Sequence, residues 1–274
     1  MAFTLGPDAH SAGYRLAAFD EIGSTNAEAL ARARAGDPGR LWVVSDRQTA
    51  GRGRRGNAWS TERGNLAASL LTITDADAPA VATLGFVAGV ALDAALRRAA
   101  PEVVTAIALD GAAGVGGDRI ALKWPNDVLL DGAKLAGILL EAERAPDGRM
   151  AVVVGIGVNV RHAPTDLPYP AASLAGLGAA AGAEAVFAAL SESWCEAAAA
   201  WDDGRGFPAV RARWLARASG LGGAVAVRID GAVTRGVFET IDDTGRLVVR
   251  TENGARRTIT AGEVHFGAAG TART

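Results

Sequence analysis

Arg119-Ile120-Ala121-Leu122-Lys123-Trp124-Pro125-Asn126-Asp127, with Lys134-Leu135-Ala136-Gly137-Ile138-Leu139 seven residues beyond it, reads as two strands separated by a polar turn. Side chains alternate along a strand, so Ile120, Leu122 and Trp124 share one face while Arg119, Ala121 and Lys123 share the other. Pro125 ends the first strand, and Asn126 and Asp127 turn the chain. The second strand, 134–141, is apolar apart from Lys134 at its mouth and Glu141 at its far end. A lysine at a strand mouth is ordinarily just exposed. One that follows an Asn-Asp turn and faces an arginine-rich loop suits charge growing on a transferring phosphate. A third strand, 151–160, contains Gly155-Ile156-Gly157-Val158-Asn159. Glycines weaken a strand, so they mark a bulge or tight sheet packing, or the close approach of another backbone or a ligand.

Upstream, residues 25–35 read as a short helix and 41–45 as a strand, followed by a Gly- and Arg-rich loop over 46–64 and a strand at 65–74. An amphipathic, buried helix is expected over 81–100, then a surface excursion over 110–118. Downstream, 164–183 is rich in Pro, Gly and Ala, and helices follow near 184–202 and 208–218. After Gly222 the character changes. Short β-branched runs at 224–229, 233–241, 247–250 and 257–260 are separated by Asp230-Gly231, Asp243-Thr244-Gly245 and Asn253-Gly254, the pattern of a small antiparallel barrel. A domain boundary is therefore expected near residue 222, with domains over 14–222 and 223–268.

At 274 residues the chain has length for one to two domains, and 49% hydrophobic with 21% charged residues is a globular profile. A net charge of −2 provides no basic field for nucleic acid or anionic membrane. The lone Cys195 excludes an internal disulfide, and the N-terminal stretch lacks a signal-peptide pattern, so a cytoplasmic protein is expected. The longest apolar stretch, 81–92, is shorter than the ~20 residues a spanning helix needs. His10, His162 and His265 have no metal-ligand spacing, and Cys195 beside Trp194 reads as a small buried hydrophobe.

No Walker-type G-x-x-x-x-G-K-[ST] occurs. Gly51-x-Gly53-x-x-Gly56 fits a dinucleotide fingerprint only in letters, because polar loop residues rather than a helix follow it. Its variable positions are Arg52, Arg54 and Arg55. Guanidiniums on a glycine-rich loop suit closure over a phosphate or carboxylate, the alternative being a solvated basic turn. With no ligand present that charge has no partner in the sequence reading, so the loop is expected to be mobile. Ser24-Thr25-Asn26 is open in the same way. Thr25 and Glu28 make a capping box that starts a helix, and such an N-terminus can also hold a polar ligand.

Taken in order, Ser24-Thr25-Asn26, Gln48-Thr49-Ala50-Gly51-Arg52-Gly53-Arg54, Lys123-Trp124-Pro125-Asn126-Asp127, Lys134-Leu135-Ala136-Gly137-Ile138-Leu139 and Gly155-Ile156-Gly157-Val158-Asn159 resemble the motif set of biotin protein ligases, over roughly 14–266. The resemblance implies an α+β fold: a mixed-sheet catalytic domain of the class II aminoacyl-synthetase and biotin-ligase type, then an SH3-like β-barrel. It implies ATP-dependent conversion of biotin to biotinyl-5'-AMP and transfer to a lysine of a biotin carboxyl carrier domain. About twenty residues precede Ser24, so a monofunctional ligase without a DNA-binding helix-turn-helix is expected, a monomer or weak homodimer.

By the same resemblance, Ser24, Thr25, Asn26 and Gln48 would bind the biotin ureido ring, and Gly137 would line the pocket. Arg52, Gly53 and Arg54 would close over the biotin carboxylate and the α-phosphate, and Lys134 would neutralise charge developing at phosphorus. Trp59 would stack on adenine. Lys123, Asn126 and Asn159 join the ATP-binding set, Asp127 would assist deprotonation of the acceptor lysine, and Mg2+ would be held mainly by the ATP phosphates. The chain departs from the family where Asn57 replaces a basic residue. The rival readings are a lipoate ligase or octanoyltransferase of the same fold, and a biotin-binding regulator without catalysis. A transferase would need a nucleophile that Cys195 is misplaced to supply, and binding alone does not require Lys134 and Arg54.

Overall fold

The runs Leu41–Ser45, Leu66–Thr74 and Met150–Val158 are buried at nearly every position, the pattern of central strands covered on both faces. The computed structural model describes residues 2–104, 119–229 and 232–266, so the expected excursion at 110–118 and the Asp230-Gly231 turn lie outside the described residues. In chain order the first elements are α1 (Pro7–Ser11), β1 (Arg15–Phe19), α2 (Thr25–Arg34), β2 (Leu41–Ser45), β3 (Leu66–Thr74), α3 (Ala78–Ala82), α4 (Leu84–Ala99) and α5 (Pro101–Val104). They continue with β4 (Ile120–Lys123), β5 (Asp127–Leu130), β6 (Ala133–Arg144), β7 (Met150–Val158), α6 (Ala183–Trp201) and α7 (Phe207–Leu215). Last come β8 (Ala224–Ile229), β9 (Ala232–Ile241), β10 (Leu247–Arg250), β11 (Arg256–Ile259) and β12 (Glu263–Phe266).

Strands β1 to β7 form one mixed sheet in the order β1-β2-β3-β7-β6-β5-β4, with β1 parallel to β2 and the other pairs antiparallel. One face carries Leu66, Ala68, Leu70, Val152, Val154 and Ile156, which pack under α4 and α6 with Phe187 and Trp194. The other carries Leu41, Val43, Leu71 and Val153, covered by Ala29, Leu30 and Ala33 of α2. Small side chains on α2 let the helix lie close, so its N-terminal turn is delivered onto the middle of the sheet.

The helical stretch Ala78–Ala99, 22 residues, is apolar enough by length and composition to cross a membrane, longer than the apolar run read from sequence. It is mostly buried in the core, as the central helix of a packed domain would be.

Three strands lie outside the sequence expectations. β1 has no buried residue and no strict alternation at its sheet edge, and β5 follows the Pro125-Asn126 turn so closely that its four residues read as part of the turn. β12 is equally short. The helix cap also shifts by one: Ser24, not Thr25, is the N-cap, its Oγ accepting from Ala27 N at 3.4 Å, which releases the Thr25 side chain for other contacts.

The C-terminal strands form a five-stranded antiparallel sheet in the order β11-β10-β9-β8-β12. Among the described residues no ladder joins β11 to β12. Its β9–β10 turn docks on the larger sheet, where the buried Trp124 Nε1 donates to Gly245 O at 3.0 Å. A side chain at Gly245 would sit 2.5 Å from the Phe86 ring, so this close approach requires glycine.

Candidate functional site

Strand register gathers the motifs. A single cross-strand row runs Phe19, Ser45, Ala67, Gly157, Gly137, Asp127, Lys123 from β1 to β4, and a neighbouring row runs Val43, Ser69, Gly155, Leu139. Both rows face α2. Their middle is a floor of small residues, and two side chains lie on it: a Cβ at Gly157 would come within 2.4 Å of the Trp59 ring, and one at Gly155 within 2.2 Å of Asn26 Oδ1. The close approach signalled by these glycines is therefore by site side chains. Gly137 has the same neighbour, its Cβ position lying 3.2 Å from Trp59.

At one end of this trough the buried Ser24, Thr25 and Asn26 join a hydrogen-bond network. Gln48 Oε1 accepts from Thr25 N at 2.9 Å, and Gln48 Nε2 donates to Thr61 Oγ1 at 3.1 Å. Ser69 Oγ lies 2.7 Å from Thr25 Oγ1 and 2.6 Å from Asn26 Oδ1. Asn26 Oδ1 can only accept, so the Ser69 proton goes there, and the one Thr25 Oγ1 proton is shared between Ser69 Oγ and Gln48 Oε1, 3.1 Å away. Asn26 Nδ2 in turn donates to Glu141 Oε2 at 2.7 Å, and Glu141 Oε1 pairs with Arg52 at 3.3 Å. Sequence reasoning missed Ser69 and Glu141. Each is a polar residue on a strand otherwise read for its apolar pattern, and only register aims it at α2.

At the other end are the cations. Lys134 Nζ pairs with Asp127 Oδ1 at 2.7 Å and lies 5.6 Å from the ring centres of both Trp59 and Tyr169. Tyr169 also escaped the sequence reading. It arrives on a Pro-rich segment stitched to the start of β6, where Lys134 N donates to Pro170 O at 2.8 Å and Ala172 N to Lys134 O at 2.9 Å. Burial pushes the Lys123 ammonium below its ordinary pKa, with Asp127 opposing and Lys134 adding to the shift. Burial likewise lowers Arg54, with Arg55 adding and Asp127 opposing.

The loop over 51–56 differs from expectation. Its charge has protein partners without any ligand: Arg52 on Glu141, and Arg54 NH1 donating to Asn126 Oδ1 at 3.0 Å. The backbone folds back on itself, Gly53 N donating to Asn57 O at 2.8 Å and Trp59 N to Gly51 O at 3.0 Å. Asn57 thus contributes its carbonyl to loop closure. A side chain at Gly51 would sit 2.3 Å from Trp59 O, so here glycine is required by crowding.

Other sequence candidates stand apart. Asn159 Nδ2 donates to Ala172 O at 3.1 Å and Lys134 O at 3.4 Å, which makes it a brace for the Tyr169 segment. Cys195 is half-buried on α6, behind the opposite face of the sheet. Its thiol donates to Ser191 O at 3.3 Å, and burial raises its pKa, so it offers the trough no nucleophile. Among the described residues no group of three or more His, Cys, Asp or Glu gathers for a metal.

One steric consequence is direct. Gly155→Ala pushes a methyl into Asn26 Oδ1, and overpacking of this kind costs about 1–3 kcal/mol. A ligand held by the 24–26 turn is expected to bind roughly tenfold more weakly or worse, read by titration calorimetry alongside a melting curve. Unchanged affinity would show that Asn26 is not placed by this contact.

The chain resembles known proteins in sequence and in fold. Residues 21–159 match the model of the Biotin/lipoate A/B protein ligase family, and residues 220–267 match the Biotin protein ligase C terminal domain. The chain is 42% identical over 250 residues to a biotin--[acetyl-CoA-carboxylase] ligase of Paracoccus denitrificans, covering 89% of this chain and 97% of that relative. It is 35% identical over 249 residues to the ligase of the same name from Mycobacterium tuberculosis, covering 89% and 86% respectively. Its fold is that of the biotin protein ligase from Aquifex aeolicus in complex with biotin and ATP, with TM-score 0.71, 24% identity, and coverage of 92% of this chain and 98% of that one.

Proposed function

The chain belongs to the biotin/lipoate A/B protein ligase family, and on that premise we propose that it uses ATP to activate biotin as biotinyl-5'-AMP and passes the biotinyl group to a lysine of a biotin carboxyl carrier domain. The observation that carries this reading is convergence. The 24–26 turn, Gln48, the 51–56 loop and Lys134 surround one glycine-floored trough, polar at one end and cationic at the other.

A urea ring suits the polar end, because each buried donor or acceptor left unmet costs about 1–3 kcal/mol and Ser24, Thr25, Asn26 and Gln48 supply both kinds. A biotin carboxylate oxygen then attacks the α-phosphorus of ATP, and the bond to the bridging oxygen breaks to release pyrophosphate. Arg52 and Arg54 meet the carboxylate and α-phosphate, and Lys134 meets charge that grows at phosphorus. Trp59 and Tyr169 offer aromatic faces to the adenine on either side of Lys134. In the second half-reaction the neutral amine of the carrier lysine attacks the acyl carbon and AMP leaves with the bonding pair. Asp127 is assigned the part of assisting removal of the amine proton, for which it must first leave Lys134. Asn126 and Asp127 already accept from Arg54 and Lys134, an arrangement that fits Mg2+ carried by the ATP phosphates rather than caged by protein.

The test is biotin-dependent exchange of labelled pyrophosphate into ATP, run beside lipoate, followed by labelling of a carrier domain. Exchange with biotin alone is expected. Exchange with lipoate alone would move the chain to the other branch of its family.

We also assign it to the cytoplasm, in keeping with its free Cys195 thiol, as a monomer or weak homodimer. With net charge −2 it is expected to show no operator binding. A gel shift that persists at physiological salt with biotin and ATP present would contradict that.

A further inference from the structure

Glu141 belongs to none of the motifs, yet its carboxylate lies where two of them meet. Gly137, Leu139 and Glu141 share the trough-facing side of β6, opposite Gly157, Gly155 and Val153. From there Glu141 accepts from Asn26 Nδ2 at 2.7 Å and pairs with the Arg52 guanidinium at 3.3 Å, its side chain 26% exposed.

Each contact constrains its partner. Asn26 Oδ1 accepts from Ser69 at 2.6 Å, so a carboxylate opposite Nδ2 fixes which way the amide points. With Ser69 on one side and Glu141 on the other, the first turn of α2 is braced against β3 and β6. The Arg52 contact has a different consequence. Both Glu141 contacts are made to Arg52 NH2, so a substrate carboxylate that takes that edge of the guanidinium must displace Glu141 from it.

We propose that Glu141 is a positioning residue with two separable effects: it braces Asn26, and it is the resting counter-ion that Arg52 exchanges for the carboxylate of the incoming substrate. This rests on the reading that the trough takes biotin with Arg52 at its carboxylate. The Arg52–Glu141 pair thereby parks the loop on the sheet, and binding of a carboxylate costs the protein that ion pair while a neutral analogue costs none.

The test compares biotin with biotinol, its alcohol analogue, by titration calorimetry on the full chain and on Glu141→Gln and Glu141→Ala. Gln keeps an oxygen acceptor for Asn26 but no charge; Ala keeps neither. The ratio of biotin to biotinol affinity is expected to rise about three- to fivefold in both variants, the scale of a half-exposed ion pair. Biotinol affinity itself is expected to fall only in Glu141→Ala, about fivefold or more, with Glu141→Gln restoring it. An unchanged ratio in Glu141→Gln overturns the exchange, and wild-type biotinol binding by Glu141→Ala overturns the brace. If the unaltered chain binds neither compound, the biotin reading itself fails. If it binds both and the variants miss this pattern, only the role of Glu141 falls.

Discussion

Lys134→Ala is expected to lower biotinyl-AMP formation by roughly 10²- to 10³-fold, the ~2.7–4 kcal/mol typical of a donor aimed at charge that grows during reaction, while biotin binding falls far less. The geometry gives the reason for the split. Lys134 stands at the cationic end of the trough, paired with Asp127 at 2.7 Å and flanked by Trp59 and Tyr169, away from the 24–26 turn. On the proposed reading its charge meets the triphosphate end of the reaction and contributes little to holding a urea ring. Removing it also leaves Asp127 without its partner beside the phosphates, which adds repulsion in the same direction. The measurement is biotin-dependent pyrophosphate exchange, with calorimetric binding of biotin alone as the control. Near-normal exchange in the variant would remove Lys134 from the chemistry. A parallel loss of biotin affinity would make it a binding residue.

Arg54→Gly is expected to form the adenylate and lose it early. A mixed anhydride must be kept from water and stray amines until the carrier arrives. Arg54 is half-buried and donates to Asn126 Oδ1 at 3.0 Å, which ties the arginine loop to the β4–β5 turn across the trough. A hydrogen bond from a charged group is worth about 1.5–3 kcal/mol, so retention is expected to fall roughly ten- to hundredfold. The readout is streptavidin blotting of albumin incubated with biotin, ATP and either enzyme. If the variant labels albumin no more than the unaltered chain while still making adenylate, Arg54 does not retain the intermediate, and its contact with Asn126 only shapes the loop.

Much of the fold was legible because burial on both faces leaves long apolar runs, and because Gly, Pro and Asn-Gly turns punctuate them. The helix at residue 25, the central strands 66–74 and 150–158, and the change of character after Gly222 all come from local pattern. The motif residues were legible for a similar reason: Arg52, Arg54 and Lys134 are charges on a loop or at a strand mouth, where core packing does not account for them. Short edge elements were not. β5 is four residues in the shadow of Pro125, and too short a run carries no period to detect.

The sequence by itself determined which residues have unusual chemistry, and it left the glycines at 155 and 157 open between a bulge or tight sheet packing and the close approach of another group. What they make room for was decided by tertiary structure. Strand register is a long-range property: Ser69, Gly155 and Leu139 become neighbours only when β3, β7 and β6 pair, and that alignment depends on the whole sheet burying its two faces. So Ser69 and Glu141, ordinary polar residues along the chain, become the braces of Asn26. The arginine loop, which by local reading has charge without partners, finds Glu141 and Asn126 waiting across the trough, 89 and 72 positions away. Local chemistry is written in residue type, but the pairing of one charge with another is set by the closure of the chain between them.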